Sequence, residues 1–300
     1  MGATTVSMCG IVGLFLKTPA LEPRLGALLA EMLETMTGRG PDSAGFAVYA
    51  DAPPGEVKLT LRADREVVQA LAEATSIALS ATPRDNHLVV TLAAASVRQA
   101  RAWLATHRPE VEIVGEGRRI ELFKDVGLPT QVAERFGLKA MSGSHGIGHT
   151  RMATESAVTT NGAHPFSTAP DQCLVHNGSL SNHASVRRNL ARQGLSFATD
   201  NDSEAAAGYL SWRLREGDSL AQALTHSLAD LDGFYTFVVG TETGFAVLRD
   251  PIACKPAVMA ETDGCVAFAS EYRALAHLPG IAAARVFEPE PGRVYAWERD

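Results

Sequence analysis

The sequence predicts an α+β fold in which sheets are covered by layers of helices, and three observations support this prediction. Strand-like apolar segments lie on both sides of groups of helical patterns. Strands and helices do not alternate regularly, as they would in a doubly wound parallel sheet. Hydrophobic residues make up 46% of the chain, which is enough to bury a substantial core.

Composition excludes several classes of protein. The 300 residues include 34 acidic and 27 basic side chains, giving a net charge of −7 without a run of basic residues, so nucleic acid is not expected as a partner. No apolar stretch is long enough to span a membrane, and the N-terminus lacks a secretory signal. Four scattered cysteines favour neither a disulfide framework nor a metal site, and together these features predict a cytoplasmic protein of one or two domains.

The first predicted elements are a strand and an amphipathic helix. The strand GIVGLFL starts at Gly10, and its glycines suggest the close approach of another backbone or a ligand. The helix is predicted from apolar residues at helical spacing, namely Leu25, Leu28, Leu29, Met32, Leu33 and Met36. The loop TGRGPDSAG and the strand GFAVY follow.

Residues 51–145 differ in pattern and are predicted to form an inserted small α/β subdomain. This segment opens with the turn cluster DAPPGE. It then contains the strand LVVTL, an Ala/Arg-rich helix over 96–107, the strands VEIV and RIELF, and a short helix near 132–136.

The remaining chain is predicted to contain helices between strand-like segments. The strand GIGHT leads into a polar loop over 153–172 and the strand CLVHN, and helices are expected over 182–193, 202–216 and 219–231. The later elements are the strands GFYTFVVG, GFAVLR, AVMAE and CVAFAS, a helix over 270–278 and the strand RVYAW.

Cys9 is the first candidate catalytic residue. A lone cysteine at the head of a strand is ordinarily a small buried apolar residue. Met8 changes this expectation. If translation starts at Met8 and this Met is removed, or if residues 1–8 are cleaved as a propeptide, Cys9 gains a free α-amine. That amine has an ordinary pKa near neutrality and can accept the thiol proton, so nucleophile and base would share one residue.

Three further segments carry polar groups, two of them at the ends of strands. Arg151 follows the strand GIGHT, where it is either a solvated surface residue or a planar fork directed at a carboxylate. Asn177 and Gly178 form either an ordinary hairpin turn or, since a helix follows, a pair of donors for an oxyanion. Asp202 lies in the run TDNDSE, which suits a helix cap, although one of its carboxylates could face a ligand ammonium group.

In this order, the motifs resemble those of the class II glutamine amidotransferases, which are N-terminal-nucleophile hydrolases. The resemblance covers residues 9–50 and 146–298. It is carried by the segments CGIVGLF, RGPDSAG, GHTRMAT, NGAHPF, HNG, DSE, RDP-KP and FASE.

The resemblance implies a four-layer αββα sandwich over residues 9–300 and a role for each matching residue. Cys9 would be the nucleophile, and Asn177 and Gly178 would form the oxyanion hole. Arg151 and Asp202 would bind the α-carboxylate and α-ammonium of L-glutamine. The resemblance further implies that Thr154 and His164 line the pocket and that Arg39 supports the loop of the nucleophile.

Within the family, the segments ELFKDVG and SHGIGHTRMATES most resemble stand-alone amidotransferases related to glutamate synthase, above all the small subunit of N-methylglutamate synthase. This implies a hetero-oligomer in which partner subunits use the ammonia. Any flavin or iron–sulfur centres would be on those partners, and no cofactor or metal is expected in this chain. Two alternatives stay open, an N-terminal-Cys hydrolase of another γ-glutamyl amide and a non-catalytic glutamine-sensing or assembly subunit.

Overall fold

The computed structural model describes residues 8–153 and 157–299, whose strands pair antiparallel in three sheets. The largest sheet has seven strands. In spatial order they are β15 (Arg285–Phe287), β13 (Val258–Glu261), β14 (Cys265–Ala269), β1 (Gly10–Leu16), β8 (His145–Arg151), β2 (Ser43–Tyr49) and β7 (Ile120–Val126).

A five-stranded sheet packs against the first. Its strands, in spatial order, are β16 (Val294–Glu298), β12 (Gly244–Arg249), β11 (Gly233–Gly240), β10 (Gln172–Leu180) and β9 (Phe166–Ala169). Between the two sheets lies a core of apolar side chains that includes Ile11, Ile147, Val175, Val238 and Phe245. Because β-strand side chains alternate between faces, the intervening residues of the same strands point towards helices.

Helices cover the outer face of each sheet. On the seven-stranded sheet lie α1 (Leu25–Thr35) and α4 (Pro129–Arg135), and the six apolar residues of the predicted α1 stripe are all buried there. On the five-stranded sheet lie α5 (His183–Arg192), α6 (Asp202–Arg215) and α7 (Leu220–Asp230). These layers confirm the predicted αββα sandwich.

Gly13 shows why a glycine occurs in the central strand β1. A Cβ atom at this position would lie 2.8 Å from a ring carbon of Phe245 in the opposing sheet. The close approach predicted for this strand is therefore made by the Phe245 side chain, which packs directly against the Gly13 backbone.

A small four-stranded sheet has a core of its own and also contacts the main sandwich, since Val89 and Val114 pack into the main cores. Its strands, in spatial order, are β4 (Leu79–Arg84), β5 (His87–Ala93), β3 (Glu56–Arg62) and β6 (Glu112–Gly117). Two helices pack on it, α2 (Arg65–Thr75) and α3 (Val97–His107). We call residues 56–117 the inserted subdomain. It is shorter than the predicted 51–145 segment, because β7 pairs with β2 and α4 packs with α1 in the main sandwich.

The prediction of a helix over residues 270–278 is wrong, since the structure has only a short 3-10 turn there, at Tyr272–Ala274. The start of this segment is held in extended form by β1: the Ile11 amide donates to the Ser270 hydroxyl at 3.0 Å, and the Ser270 amide donates to the Ile11 carbonyl. Glu271 then forms an ion pair with Arg39. These tertiary contacts override the local helical pattern.

Among the helices in the described ranges, the longest has 14 residues, and none has the length and apolar character needed to cross a membrane. The cytoplasmic location stays a prediction.

Candidate active site

Strand pairing brings Cys9 and Arg151 together although they are far apart in the sequence. Gly10 of β1 lies opposite Thr150 of β8, so Cys9 and Arg151 leave the sheet side by side at the same edge. Along β8, Ile147 points into the core between the sheets, and by alternation the side chains of His149 and Arg151 project in the same direction.

The second sheet contributes Asn177 and Gly178 through β10. Val175 packs between the sheets, so Asn177 also points towards β1, and its side-chain Nδ2 donates a 3.0 Å hydrogen bond to the Cys9 carbonyl. Gly178 has a φ of +149°, and a Cβ atom there would lie 2.0 Å from the Phe234 carbonyl oxygen. Only glycine fits this position without moving β11.

Cys9, Arg151, Asn177 and Gly178 open into a cavity of about 660 Å³, a size typical of small-molecule sites. The other residues that line the cavity are Met8, Met152, Ala157, Thr159, Gly162, His164, His176, Ser179, His183, Thr199, Asp200, Asn201, Asp202, Ser203 and Lys255. Cationic and anionic groups therefore face the same space as a thiol.

The Cys9 thiol is a protonated group in its present surroundings. Burial raises its pKa, and this effect outweighs the opposite influence of the nearby Arg151 and Lys255 charges. The sulfur lies 3.9 Å from the Met152 carbonyl oxygen, to which the thiol donates. The thiol therefore needs a base before it can act as a nucleophile.

Arg39 fixes the backbone of Cys9. Its Nε donates to the Cys9 carbonyl oxygen at 3.1 Å, and its Nη1 contacts Glu271 Oε1 at 2.6 Å. The Cys9 carbonyl thus accepts two hydrogen bonds. Arg39 joins it to the loop after α1, and Asn177 joins it to the second sheet. Glu271 orients the guanidinium that makes one of these two bonds.

Arg151 is largely buried at the wall of the cavity. Its Nη1 donates to the Ala157 carbonyl oxygen at 3.4 Å, and Gly162 leaves space beside the same nitrogen. A planar guanidinium held in this way can present its fork to a carboxylate in the cavity.

Asp202 lies in the first turn of α6. The cap of this helix is Asn201, whose side chain accepts from the Ser203 amide, so the Asp202 carboxylate is available to line the cavity and to accept from the Leu180 amide at 2.9 Å. Burial opposes its ionisation, but hydrogen bonds and charge from His176, together with the Leu180 amide and the Ser203 hydroxyl, lower the pKa of Asp202 to about 2. Asp202 is therefore an anion at the cavity wall.

Three buried histidines support this region. The Ser203 hydroxyl lies 2.8 Å from His164 Nε2 and 2.9 Å from His176 Nδ1, and the His149 ring stacks on His164 with centroids 4.0 Å apart. Burial lowers the pKa of His149 to about 3 and that of His164 well below its ordinary value, so both rings are neutral.

The structure brings together Cys9, Arg151, His164, Asn177, Gly178 and Asp202 around the cavity, with Arg39 behind Cys9. Thr154 lies outside the described residues. Sequence reasoning assigned no role to Lys255, Ser203 and Glu271, although each belongs to a quoted motif, RDP-KP, DSE or FASE respectively. Within residues 8–153 and 157–299, no three His, Cys, Asp or Glu side chains are grouped as metal ligands.

Comparisons with known proteins point to one family. A sequence model of a glutamine amidotransferase domain matches residues 149–277. The chain is 59% identical to the glutamine amidotransferase-like protein GlxB of Rhizobium meliloti, with 97% of this chain and 98% of that protein covered. A glutamine amidotransferase homologue from Methanothermobacter thermautotrophicus is 33% identical, with coverage of 96% and 99%. The solved glutamine phosphoribosylpyrophosphate amidotransferase of B. subtilis shares the fold, with a TM-score of 0.61 and 21% identity over 97% of this chain and 47% of that one.

Proposed function

Since the chain belongs to the class II glutamine amidotransferase family, we propose that it hydrolyses L-glutamine to glutamate and ammonia through Cys9. The observation that carries this proposal is the convergence of the Cys9 thiol, the Arg151 guanidinium, the Asp202 carboxylate and the Asn177 amide on one cavity. A thiol, a cation, an anion and amide donors match the side-chain amide, the α-carboxylate and the α-ammonium of glutamine.

The first step is formation of the nucleophile. The α-amine of Cys9, once free, takes the proton of the thiol, whose buried position keeps it protonated otherwise. The Arg151 and Lys255 cations favour the resulting thiolate. The active form therefore begins at Cys9, because an amide nitrogen bonded to Met8 is not a base.

The thiolate then attacks the side-chain carbonyl carbon of glutamine. A sulfur–carbon bond forms and the carbonyl electrons move to oxygen, giving a tetrahedral oxyanion that accepts from Asn177 Nδ2 and the Gly178 amide. The α-ammonium of Cys9 returns its proton to the leaving nitrogen, ammonia departs and a γ-glutamyl thioester remains. Water, deprotonated by the same amine, hydrolyses the thioester to glutamate and restores the thiol.

Arg151 and Asp202 bind the amino-acid end of the substrate in this proposal. The guanidinium donates two parallel hydrogen bonds to the α-carboxylate, and the ionised Asp202 binds the α-ammonium. His164 lines the pocket, the family resemblance gives Thr154 the same role, and Arg39 supports Cys9 through its carbonyl.

We further propose that the ammonia passes to a synthase partner subunit in a hetero-oligomer. The likeness of ELFKDVG and SHGIGHTRMATES to the small subunit of N-methylglutamate synthase supports this partner, and its flavin and iron–sulfur centres would be on other chains. An apolar ring beside the cavity also supports docking there, since Phe234, under the ammonium of the cavity-lining Lys255, is 37% exposed.

The test of hydrolysis compares chains that differ only at Cys9. Protein beginning at Cys9 should release ammonia and glutamate from glutamine in equal amounts, whereas Cys9→Ala should bind glutamine with little loss of affinity and release none. Cys254→Ala removes an exposed thiol and is the matched control, which should remain fully active.

Three results would contradict the proposal. Full activity of protein that retains residues 1–8 would exclude the α-amine as the base. Turnover of other γ-glutamyl amides but not of glutamine would favour a different hydrolase. Glutamine binding without turnover in every processed form would favour a sensing or assembly subunit.

The partner is tested by purification from the native source followed by reconstitution. With glutamate-synthase-like subunits and their acceptor present, glutamine turnover should rise and free ammonia should fall relative to product. A chain that purifies alone and releases all its ammonia at full rate would be a simple glutaminase.

A further inference from the structure

One wall of the cavity is a loop, residues 157–163, that is attached to the last residues of β7. Thr160 Oγ1 donates to Asp125 Oδ1 at 2.7 Å, and Lys124 Nζ donates to the Asn161 carbonyl at 3.2 Å. The buried Lys124 ammonium lies 4.8 Å from the ring centroid of Phe166, which follows the loop. We call residues 157–163 the pocket loop.

The position of the pocket loop affects Arg151 directly. Ala157, Thr159 and Gly162 line the cavity, and the Ala157 carbonyl accepts from the Arg151 guanidinium. A shift of the loop would therefore change both the shape of the wall and the orientation of a charged group at the site.

The inserted subdomain reaches the same Asp125 from the opposite side. Asn86, in the turn between β4 and β5, donates from Nδ2 to Asp125 Oδ2 at 3.0 Å. The next residue, His87, is buried, and its ring packs edge-on against Phe136 with centroids 4.8 Å apart. The tip of this hairpin is thus docked on the main sandwich beside α4.

Asp125 shares its two oxygens between these elements. Oδ1 accepts from Thr160 and from the Val126 amide, and Oδ2 accepts from Asn86 and Arg135. Burial alone would raise the pKa of Asp125, but these hydrogen bonds outweigh burial and lower it. The carboxylate is therefore charged, and bonds to a charged acceptor are stronger than neutral ones.

We propose that Asp125 is a positioning residue through which the inserted subdomain holds the pocket loop in its glutamine-binding position. Asn86 fixes the carboxylate from the subdomain side, and the carboxylate fixes Thr160 in the loop. The effect on catalysis rests on the proposed glutamine hydrolysis, whereas the effect on the loop does not.

The experiment is a double-mutant cycle with Asn86→Ala and Thr160→Val. Loss of one bond to a charged acceptor should raise the KM for glutamine by about 10-fold for Thr160→Val, and by about 3- to 10-fold for the indirect Asn86→Ala, with kcat within about 2-fold. In the double variant, the KM for glutamine should rise by less than the product of the two single increases, because both substitutions act through one carboxylate. Thr160→Ser keeps the hydroxyl and should retain the parent KM.

Hydrogen exchange of the amides in residues 157–163 is the second readout. Exchange should be faster in Asn86→Ala and in Thr160→Val, and unchanged in the control Gln69→Ala, whose side chain lies on the exposed face of α2 and bonds Glu73 of the same helix. Asn86 is itself exposed, but its Oδ1 also lies 2.6 Å from Nδ1 of the buried His87, so urea unfolding of Asn86→Ala accompanies the exchange measurement and should show a folded protein.

The inference is overturned if Asn86→Ala leaves both KM and loop exchange at parent values, or if the two KM effects simply multiply. Failure of the parent protein to hydrolyse glutamine would instead contradict the proposed function. In that case the exchange data alone decide whether the subdomain positions the loop.

Discussion

The Asn177 side chain donates a 3.0 Å hydrogen bond to the carbonyl oxygen of Cys9, 168 residues earlier in the chain. This bond ties a strand of the second sheet to the residue that precedes the central strand of the first. Asn177 Nδ2 carries two hydrogens, so one can hold the Cys9 backbone while the other is directed at a ligand in the cavity. The backbone of the proposed nucleophile, Cys9, therefore positions Asn177, the proposed donor of the oxyanion hole.

The first prediction concerns this donor. Asn177→Ala should lower kcat for glutamine by about 100- to 1,000-fold, the usual cost of losing one oxyanion donor, with a small change in glutamine affinity. The rate of Cys9 alkylation by iodoacetamide in a Cys254→Ala background reports whether the thiol has moved. A similar fall in alkylation rate and kcat would show that Asn177 acts only by holding Cys9.

The second prediction tests whether Asp202 binds an ammonium group. Asp202→Asn should lower kcat/KM for glutamine by about 10- to 100-fold, the range expected for one charge-assisted bond, and should affect the analogue without the α-amino group much less. Asp263→Asn is the matched control, because that carboxylate is exposed and is not among the residues that line the cavity. Equal losses on both substrates would mean that Asp202 has only a structural role, in which its carboxylate at the start of α6 accepts from the Leu180 amide at the end of β10.

Local patterns predicted those parts of the fold where one face of an element is apolar. The α1 stripe and the buried strand β1 were predictable because each repeats at the period of its secondary structure. Strand β4 was not, since it is a largely exposed edge strand that contains Pro83. The 270–278 segment was misassigned because its partners, β1 and Arg39, are distant in the sequence.

The candidate site was predictable through motifs and not through spacing. Cys9, Arg151 and Asn177 lie on three strands of two sheets, and no periodicity relates them. The link from Asn86 through Asp125 to Thr160 carries no sequence signal, because its members are common surface residue types. Ser203 was quoted within a motif, but only the folded chain places it between His164 and His176.

The third prediction follows from the buried neutral histidines. Burial lowers the pKa of His87 to about 4 and those of His145 and His149 to about 3, so these rings gain protons on unfolding below pH 6.5. Stability should therefore be complete above pH 6.5 and fall as the pH is lowered towards 4. At pH 5.5 each histidine should contribute a loss of about 1.4 kcal/mol in the free energy of unfolding.

Urea unfolding between pH 7.5 and 5 measures this dependence. His87→Gln should reduce the pH slope by the contribution of one proton, whereas His277→Gln, at a residue exposed in the folded state, should leave the slope unchanged. A flat profile over this range would show that the buried rings are not the source of acid sensitivity.

The last prediction concerns the loop that carries Lys255 to the cavity. Ala253 has a φ of +51°, a left-handed conformation that is unfavourable for a residue with a Cβ atom. The loop is held in this shape by Arg249, whose Nη2 donates to the carbonyls of Ala253 and Lys255 at 2.7 and 3.0 Å. Ala253→Gly relieves the backbone strain but also makes the unfolded chain more flexible. Because the first effect is larger, the free energy of unfolding should rise by about 0.5 to 1 kcal/mol.

The same substitution at Ala93, where φ is −58°, has no strain to relieve and should lower stability by about 0.5 to 1 kcal/mol. Urea unfolding of both variants gives the comparison, and a loss of stability in Ala253→Gly would show that contacts of the Ala253 methyl group outweigh the strain.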